Sequence, residues 1–125
     1  MTYHFTLSYE IPSLNTWAKW HWSKRAGVRK VYELELLVRK NQFYYTKQHY
    51  KKDAFPIKRC SIIIKSYRFQ LITDPDNRIV KGLLDALVNQ GIIEDDNESV
   101  IGKLEYQQFV DRKNRRTEIE IRDIR

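Results

Sequence analysis

Cysteine, glycine, proline and histidine are all scarce in this chain of 125 residues, and each scarcity closes off a class of protein. One cysteine, Cys60, forms no disulfide within the chain and no zinc site built on cysteine pairs; placed within a strand, it reads as a small buried hydrophobe. The three histidines, His4, His21 and His49, show no metal-ligand spacing and read as structural or surface residues. Four glycines and three prolines make no linker, and without an internal repeat or low-complexity tract the chain reads as one domain, 1–125. No apolar run approaches the length of a membrane span, and the opening Met1-Thr2-Tyr3-His4-Phe5 lacks the charged start of a signal peptide. A cytoplasmic location and no membrane partner are therefore expected.

What the chain has in excess is positive charge. Lys and Arg number 23 against 16 Asp and Glu, a formal net charge of +7, and 42% of the residues are hydrophobic, enough for a real core. Such a balance implies an anionic partner and favours nucleic acid. The charge is unevenly spread. Between positions 74 and 98 fall Asp74, Asp76, Asp85, Glu94, Asp95, Asp96 and Glu98 against only Arg78 and Lys81, a local balance of −5 that leaves +12 elsewhere. Acids crowd together when something holds them, and a divalent cation bound by carboxylate oxygens is the commonest such agent. A basic chain with one acidic pocket suggests a metal-dependent enzyme acting on nucleic acid.

Periodicity predicts the order β-α-β-α-β-β, an α+β domain with a mixed sheet packed against two helices. Residues 3–9 place Tyr3, Phe5, Leu7 and Tyr9 on one face of a half-buried strand. Ile11-Pro12-Ser13-Leu14-Asn15 reads as a loop. Ser23 is the expected cap of a long helix from about Lys24 to Lys47, with Val28, Val31, Leu34, Leu37 and Val38 inward. A polar connection from Lys47 to Lys58 leads to a strand from Cys60 to Phe69 around the Ile62-Ile63-Ile64 run. A second helix from about Arg78 to Gln90 carries a stripe of Ile79, Val80, Leu83, Leu84, Leu87 and Val88, with Gly91 at the left-handed cap position. Ser99 to Val110 and Arg116 to Ile124 read as a final hairpin about an exposed turn, 111–115.

Asp74 and Asp76 stand between a strand and a helix. In an extended chain their spacing of two sends both carboxylates to one side, and Pro75 stiffens that geometry. Asp95 and Asp96 follow the helix, so they reach the first pair only if the next strand runs back alongside; pairing of the Cys60 and Ser99 strands would permit it. Each acid also has an ordinary reading: an N-cap at Asp76 or Asn77, a turn at Asp74-Pro75, a solvated loop at 94–98, a surface pair between Lys81 and Asp85 worth roughly 0.3 to 0.5 kcal/mol. Their joint occurrence favours the metal reading, because a cap needs one acid rather than three or four.

Asp74-x-Asp76-Asn77, then Lys81, Asp85-Ala86-Leu87, Gly91 and Asp95-Asp96, resembles the signature of the RusA-type Holliday junction endodeoxyribonucleases, usually carried by prophages, and Ile11-Pro12-Ser13-Leu14-Asn15 resembles that family's segment after the first strand. The resemblance spans nearly the whole chain, with positions 74–97 as its specific core. It implies a Mg²⁺-dependent nuclease, with Mn²⁺ as a substitute, that resolves four-way DNA junctions by paired symmetric cuts, leaving a 5′-phosphate and a 3′-hydroxyl. It implies a homodimer with two active sites, metal ligation by Asp74, Asp76 and Asp96, a charge-stabilising role for Lys81, and supporting roles for Asn77 and Asp95. Lys81 lies five residues after Asp76, where the type member has four. The stretch from Trp17 to Arg25 mixes aromatic and basic residues as a surface for phosphates and unpaired bases does, although Trp17, Trp20 and Trp22 read equally well as core or dimer interface. The basic members Lys24, Arg25, Arg29 and Lys30 are the expected DNA contacts. A nuclease for other branched or flapped DNA, or a non-catalytic basic binding module, are the alternatives.

Overall fold

A computed structural model describes residues 1–45, 54–74 and 81–124, without the side chains of 44, 45 and 81. Asp76, Asn77, His49, the expected helix start at 78–80, the expected end of the long helix at 46–47 and the side chain of Lys81 thus lie outside the described residues. The elements run β1 (Thr2–Leu7), α1 (Leu14–Lys19), α2 (Trp22–Tyr45), β2 (Cys60–Arg68), α3 (Lys81–Asn89), β3 (Ile101–Val110) and β4 (Arg116–Asp123). The four strands form one mixed sheet in the order β1-β4-β2-β3, and the helices make it an α+β fold. No helix among the described residues is long and apolar enough to cross a membrane.

Alternation decides which face of the sheet is covered. Tyr3, Phe5 and Leu7 of β1, Cys60, Ile62 and Ile64 of β2, and Ile119 and Ile121 of β4 are all buried on one side. On the other side cross-strand rows such as Glu120-Ile63-Glu105 and Glu118-Lys65-Gln107 meet solvent. The isoleucine run is therefore a one-sided strand, not one buried on both faces. Ile63 is only half-buried.

Three expectations about the elements are corrected. The final hairpin does not form: β3 and β4 never pair, because β2 lies between them, antiparallel to β4 and parallel to β3. The most apolar strand takes a central place, where burial is greatest, and the more polar β3 takes the edge. Leu14 onward is a short helix rather than loop, since Ser13 is an N-cap whose hydroxyl accepts from the Thr16 N–H at 3.2 Å. Ser23 is not the cap of α2. His21 is: its carbonyl accepts from the Lys24 and Arg25 N–H groups, and its ring Nδ1 accepts from the Ser23 N–H at 3.2 Å, as an asparagine oxygen would.

The inward face of α2 also differs. Val31, Leu34 and Val38 are 41, 64 and 60% exposed and Leu37 also meets solvent, while Tyr32 and Leu36 are buried and Val28 and Phe43 pack partly against the core. Aromatic rings favour this rotation: Phe43 stands edge-on to Tyr3 at 5.2 Å and to Phe5 at 5.6 Å. Polar links fix it further. Arg39 Nε donates to the His4 carbonyl at 3.0 Å and the Ser8 N–H donates to Glu35 at 2.8 Å, so α2 also satisfies the free edge of β1.

The apolar stripe of α3 is as expected over its described part, with Leu83, Ala86 and Leu87 buried. Gly91, at φ +66°, closes the helix: its N–H donates to Val88 O and the Ile92 N–H donates to Leu87 O, with Leu87 and Ile92 both fully buried. Arg29–Asp85 at 3.6 Å, Asn89–Glu33 at 2.9 Å and Lys40 to the Gln90 carbonyl at 2.8 Å align α3 beside α2 in the same direction.

Candidate functional site

The direction of β3 decides where the acids stand. Because β3 runs parallel to β2, Cys60 pairs with Ile101 at one end and Arg68 with Val110 at the other. Asp74 follows the C-terminal end of β2, where the side-chain amide of Gln108 grips the Ile72 main chain at both groups: the Ile72 N–H donates to Gln108 Oε1 at 3.1 Å, and Gln108 Nε2 donates to Ile72 O at 2.8 Å. Asp95 and Asp96 precede β3 at the opposite end, where Glu94 N–H bonds Ile57 O and Arg59 donates to Glu98 O. From Ile101 to Gln108 is a climb of roughly 23 Å at about 3.3 Å per residue. The expected strand pairing exists, but its direction starts the two acidic segments from opposite ends of β2. No group of three His, Cys, Asp or Glu among the described residues is placed to hold a metal ion.

The loop that carries Asp96 is well organised. Asp95 Oδ1 accepts from the Asp96 N–H at 2.7 Å and Asp95 Oδ2 accepts from the Asn97 amide at 3.0 Å, while Asn97 in turn bonds the Ser99 N–H and its carbonyl takes the Val100 and Ile101 N–H groups. Both oxygens of Asp95 are thus spent on the turn. Asp74 and Asp96 are exposed, and no described residue bonds their carboxylates. Hard, unengaged oxygen donors of this kind suit Mg²⁺ or Mn²⁺.

The expected DNA cations divide. Lys24 and Lys30 are exposed. Arg25 donates from Nε to Trp17 O at 3.0 Å and from its terminal nitrogen to Ala18 O at 2.9 Å, closing α1, and Arg29 pairs with Asp85. The tryptophans divide three ways. A Cβ on Gly82 would lie 2.6 Å from the far edge of the Trp17 ring, so Trp17 packs against α3 at Gly82; Trp20 lines a cleft with the Lys24 ammonium 4.5 Å from its ring centre; Trp22 is 71% exposed.

A cationic surface that periodicity does not single out lies at the Asp74 end. The β3–β4 connection crosses the end of β2, where the Asp111 N–H bonds Arg68 O. Arg112 and Arg115 lie 4.9 and 5.8 Å from the ring centre of the half-exposed Phe69, and Arg116 lies 3.7 Å from that of Tyr67. The Arg116 guanidinium, hydrogen-bonded to Asp111, holds that carboxyl below the usual carboxylate range. The density of Arg112, Lys113, Arg115 and Arg116 is visible in the sequence. Its meaning stays hidden as long as the segment reads as the tip of a hairpin.

No protein-family model matches the chain, and no curated protein matches it.

Proposed function

We propose that this protein is a Mg²⁺-dependent endonuclease of branched DNA, a four-way junction resolvase acting as a homodimer. The observation that carries the reading is the division of labour in the acidic loop: Asp95 spends both oxygens on the turn and leaves Asp96 exposed, in the order of acids that resembles the RusA-type signature. The chain outside that segment carries +12, which suits a polyanion.

Asp74, Asp76 and Asp96 would hold the metal. A divalent cation held by these residues would supply Lewis-acid polarisation of a phosphoryl oxygen and would lower the pKa of a water for in-line attack. Gln108 holds the main chain two residues before Asp74, and Asp95 holds the Asp96 turn, so both outer residues position a carboxylate. Lys81 and Asn77 take the supporting roles that the resemblance implies. Because the parallel strands start the two acidic segments from opposite ends of β2, the reading assigns each carboxylate set to two copies, with Asp74 of one beside Asp96 of the other. Two-fold symmetry then yields two equivalent sites, matching two cuts in a symmetric junction.

A cytoplasmic, recombination-linked role, in a prophage or its host, goes with this reading. A basic binding module is the second reading, favoured by the lack of a three-carboxylate group among the described residues of one chain. A cleavage assay comparing a mobile four-way junction with a flap and a duplex of equal length, with and without Mg²⁺, separates the two. Metal-dependent paired nicks in the junction are expected; flap cutting alone would point to another branched substrate, and binding without cutting would leave the module.

A further inference from the structure

Beside the Asp74 end of the sheet lies an open cleft of about 420 Å³. Tyr9, Trp20 and Tyr32 supply its aromatic walls, Val28 an aliphatic patch, and buried Arg68 is also part of its lining. Its volume falls within the ~300–1,000 Å³ of small-molecule pockets. A second depression, lined by Arg112, Lys113 and Arg115, shares the wall formed by Tyr9 and Glu10. The acid in that wall is already engaged: Glu10 accepts from the Phe69 N–H at 2.9 Å and pairs with Arg115 at 3.9 Å. Arg68 is engaged too, donating to the Ile11 and Gln70 carbonyls, so its guanidinium is held in the lining of the cleft.

We propose that this pair of depressions is a nucleotide subsite for unpaired DNA, the base entering the aromatic cleft between Tyr9 and Trp20 while its phosphate lies on Arg112, Lys113 and Arg115. An aromatic slot for a π-face with a cationic trough one wall away has the form of a single-strand site. A purely apolar ligand would have no use for the trough, and paired duplex has no base free to enter the slot. Lys24, poised over Trp20, adds a cation at the cleft itself. The trough carries no base information, so it sets affinity while the slot sets the demand for an unpaired position. The inference rests on the DNA reading above and deepens it: it gives the preference for branched over linear DNA a physical source, since bases at a branch point are the ones free to leave the stack.

The test uses the full chain in metal-free buffer, where nothing is cut. The probe is a junction bearing 2-aminopurine at one unpaired position; its companions are the same junction with an abasic residue there and a fully paired duplex. Expected are quenching of 2-aminopurine on binding, roughly tenfold weaker binding of the abasic junction, and the same loss from Trp20→Leu with no further loss when the two are combined. Duplex affinity should be unchanged by Trp20→Leu. If the abasic junction binds as tightly as the intact one, or if Trp20→Leu weakens duplex and junction alike, the slot holds no base. The abasic comparison needs no substitution, so it stands even if Trp20→Leu folds poorly. Cutting without base docking sinks only this inference; base docking without cutting sinks only the nuclease.

Discussion

The two ends of β2 are built from opposite materials. Around its C-terminal end gather Asp74, the aromatic cleft, Lys24 and the cations of the β3–β4 connection; around its N-terminal end stand Glu94, Asp95, Asp96 and Glu98, with Arg59 bound to the loop through a carbonyl. A cationic end attracts DNA, whereas an acidic end repels it unless a metal intervenes. On the reading proposed above, each end of β2 contributes one part of a cleavage site. Association is what would bring an acidic end onto a cationic one.

Complementation gives the largest expected effect. Asp74→Asn and Asp96→Asn should each lower single-turnover junction cleavage by about 100-fold or more, because an amide is a neutral, weaker ligand for a hard cation. Mixing the two inactive proteins should restore single-strand nicking, since a mixed dimer keeps one site with both native acids. If the mixture stays as dead as its parts, the two ends do not meet across a dimer. A sedimentation mass near one chain's 15.2 kDa at micromolar concentration with junction present would count against the same idea.

Charge at the two ends gives the next largest effect. Replacing Arg112, Lys113 and Arg115 together by Ala should flatten the dependence of log K on log salt by about 0.9 for each phosphate the protein no longer neutralises. Asp95→Asn, at the other end, should leave that slope alone and lower cleavage less than Asp96→Asn does. Titrations of junction binding between low and moderate salt read both.

Gln108→Ala probes the Asp74 end without touching charge. It removes two hydrogen bonds to Ile72, a loss of roughly 1 kcal/mol each at most. Cleavage should fall about tenfold with junction affinity unchanged, and Gln108→Glu, which keeps an acceptor for the Ile72 N–H but loses the donor, should fall between. Equal losses of cleavage and melting temperature in all variants would make Gln108 a packing residue only.

The smallest effect belongs to Cys60, at the acidic end. Burial pushes its thiol from 9.0 up to about 11, with Asp123 nearby adding to the rise. The folded pKa exceeds the unfolded one, so the stabilisation is fully present below pH 9 and is lost as pH climbs toward about 11, where the unfolded chain releases its proton first. Alkylation at pH 8 should be slow and should follow unfolding; rapid labelling of the folded chain would contradict the burial.

How far these features are legible in sequence depends on their range. β1, β2, α3 and the Gly91 cap rest on alternation, on a 3.6-residue stripe and on one left-handed residue, all local signals, and the structure keeps them. The facing of α2 is different, because Val31, Leu34 and Val38 form as good a stripe as Val28, Tyr32 and Leu36; the choice between them is made by Tyr3, Phe5 and Phe55 in distant segments. The hairpin fails for a similar reason. Two amphipathic strands joined by a polar turn look the same whether or not a third strand lies between them. Of the candidate site, the acids are visible in their spacing, but the direction of β3, which starts Asp96 from the opposite end of β2 to the one that leads to Asp74, is a matter of topology.

The insertion of β2 between β3 and β4 also bears on how the chain acquires its shape. Among the described residues β4 links β1 to the β2–β3 pair, with Arg122 opposite Thr2 and Ser61 at once. Such pairings are about as non-local as the chain allows, so sheet closure should be slow beside helix formation. During synthesis the open sides of β1 and β2 wait, exposed, until residues 116–123 emerge, and any chain stopped short of them is left with unpaired edges that invite self-association.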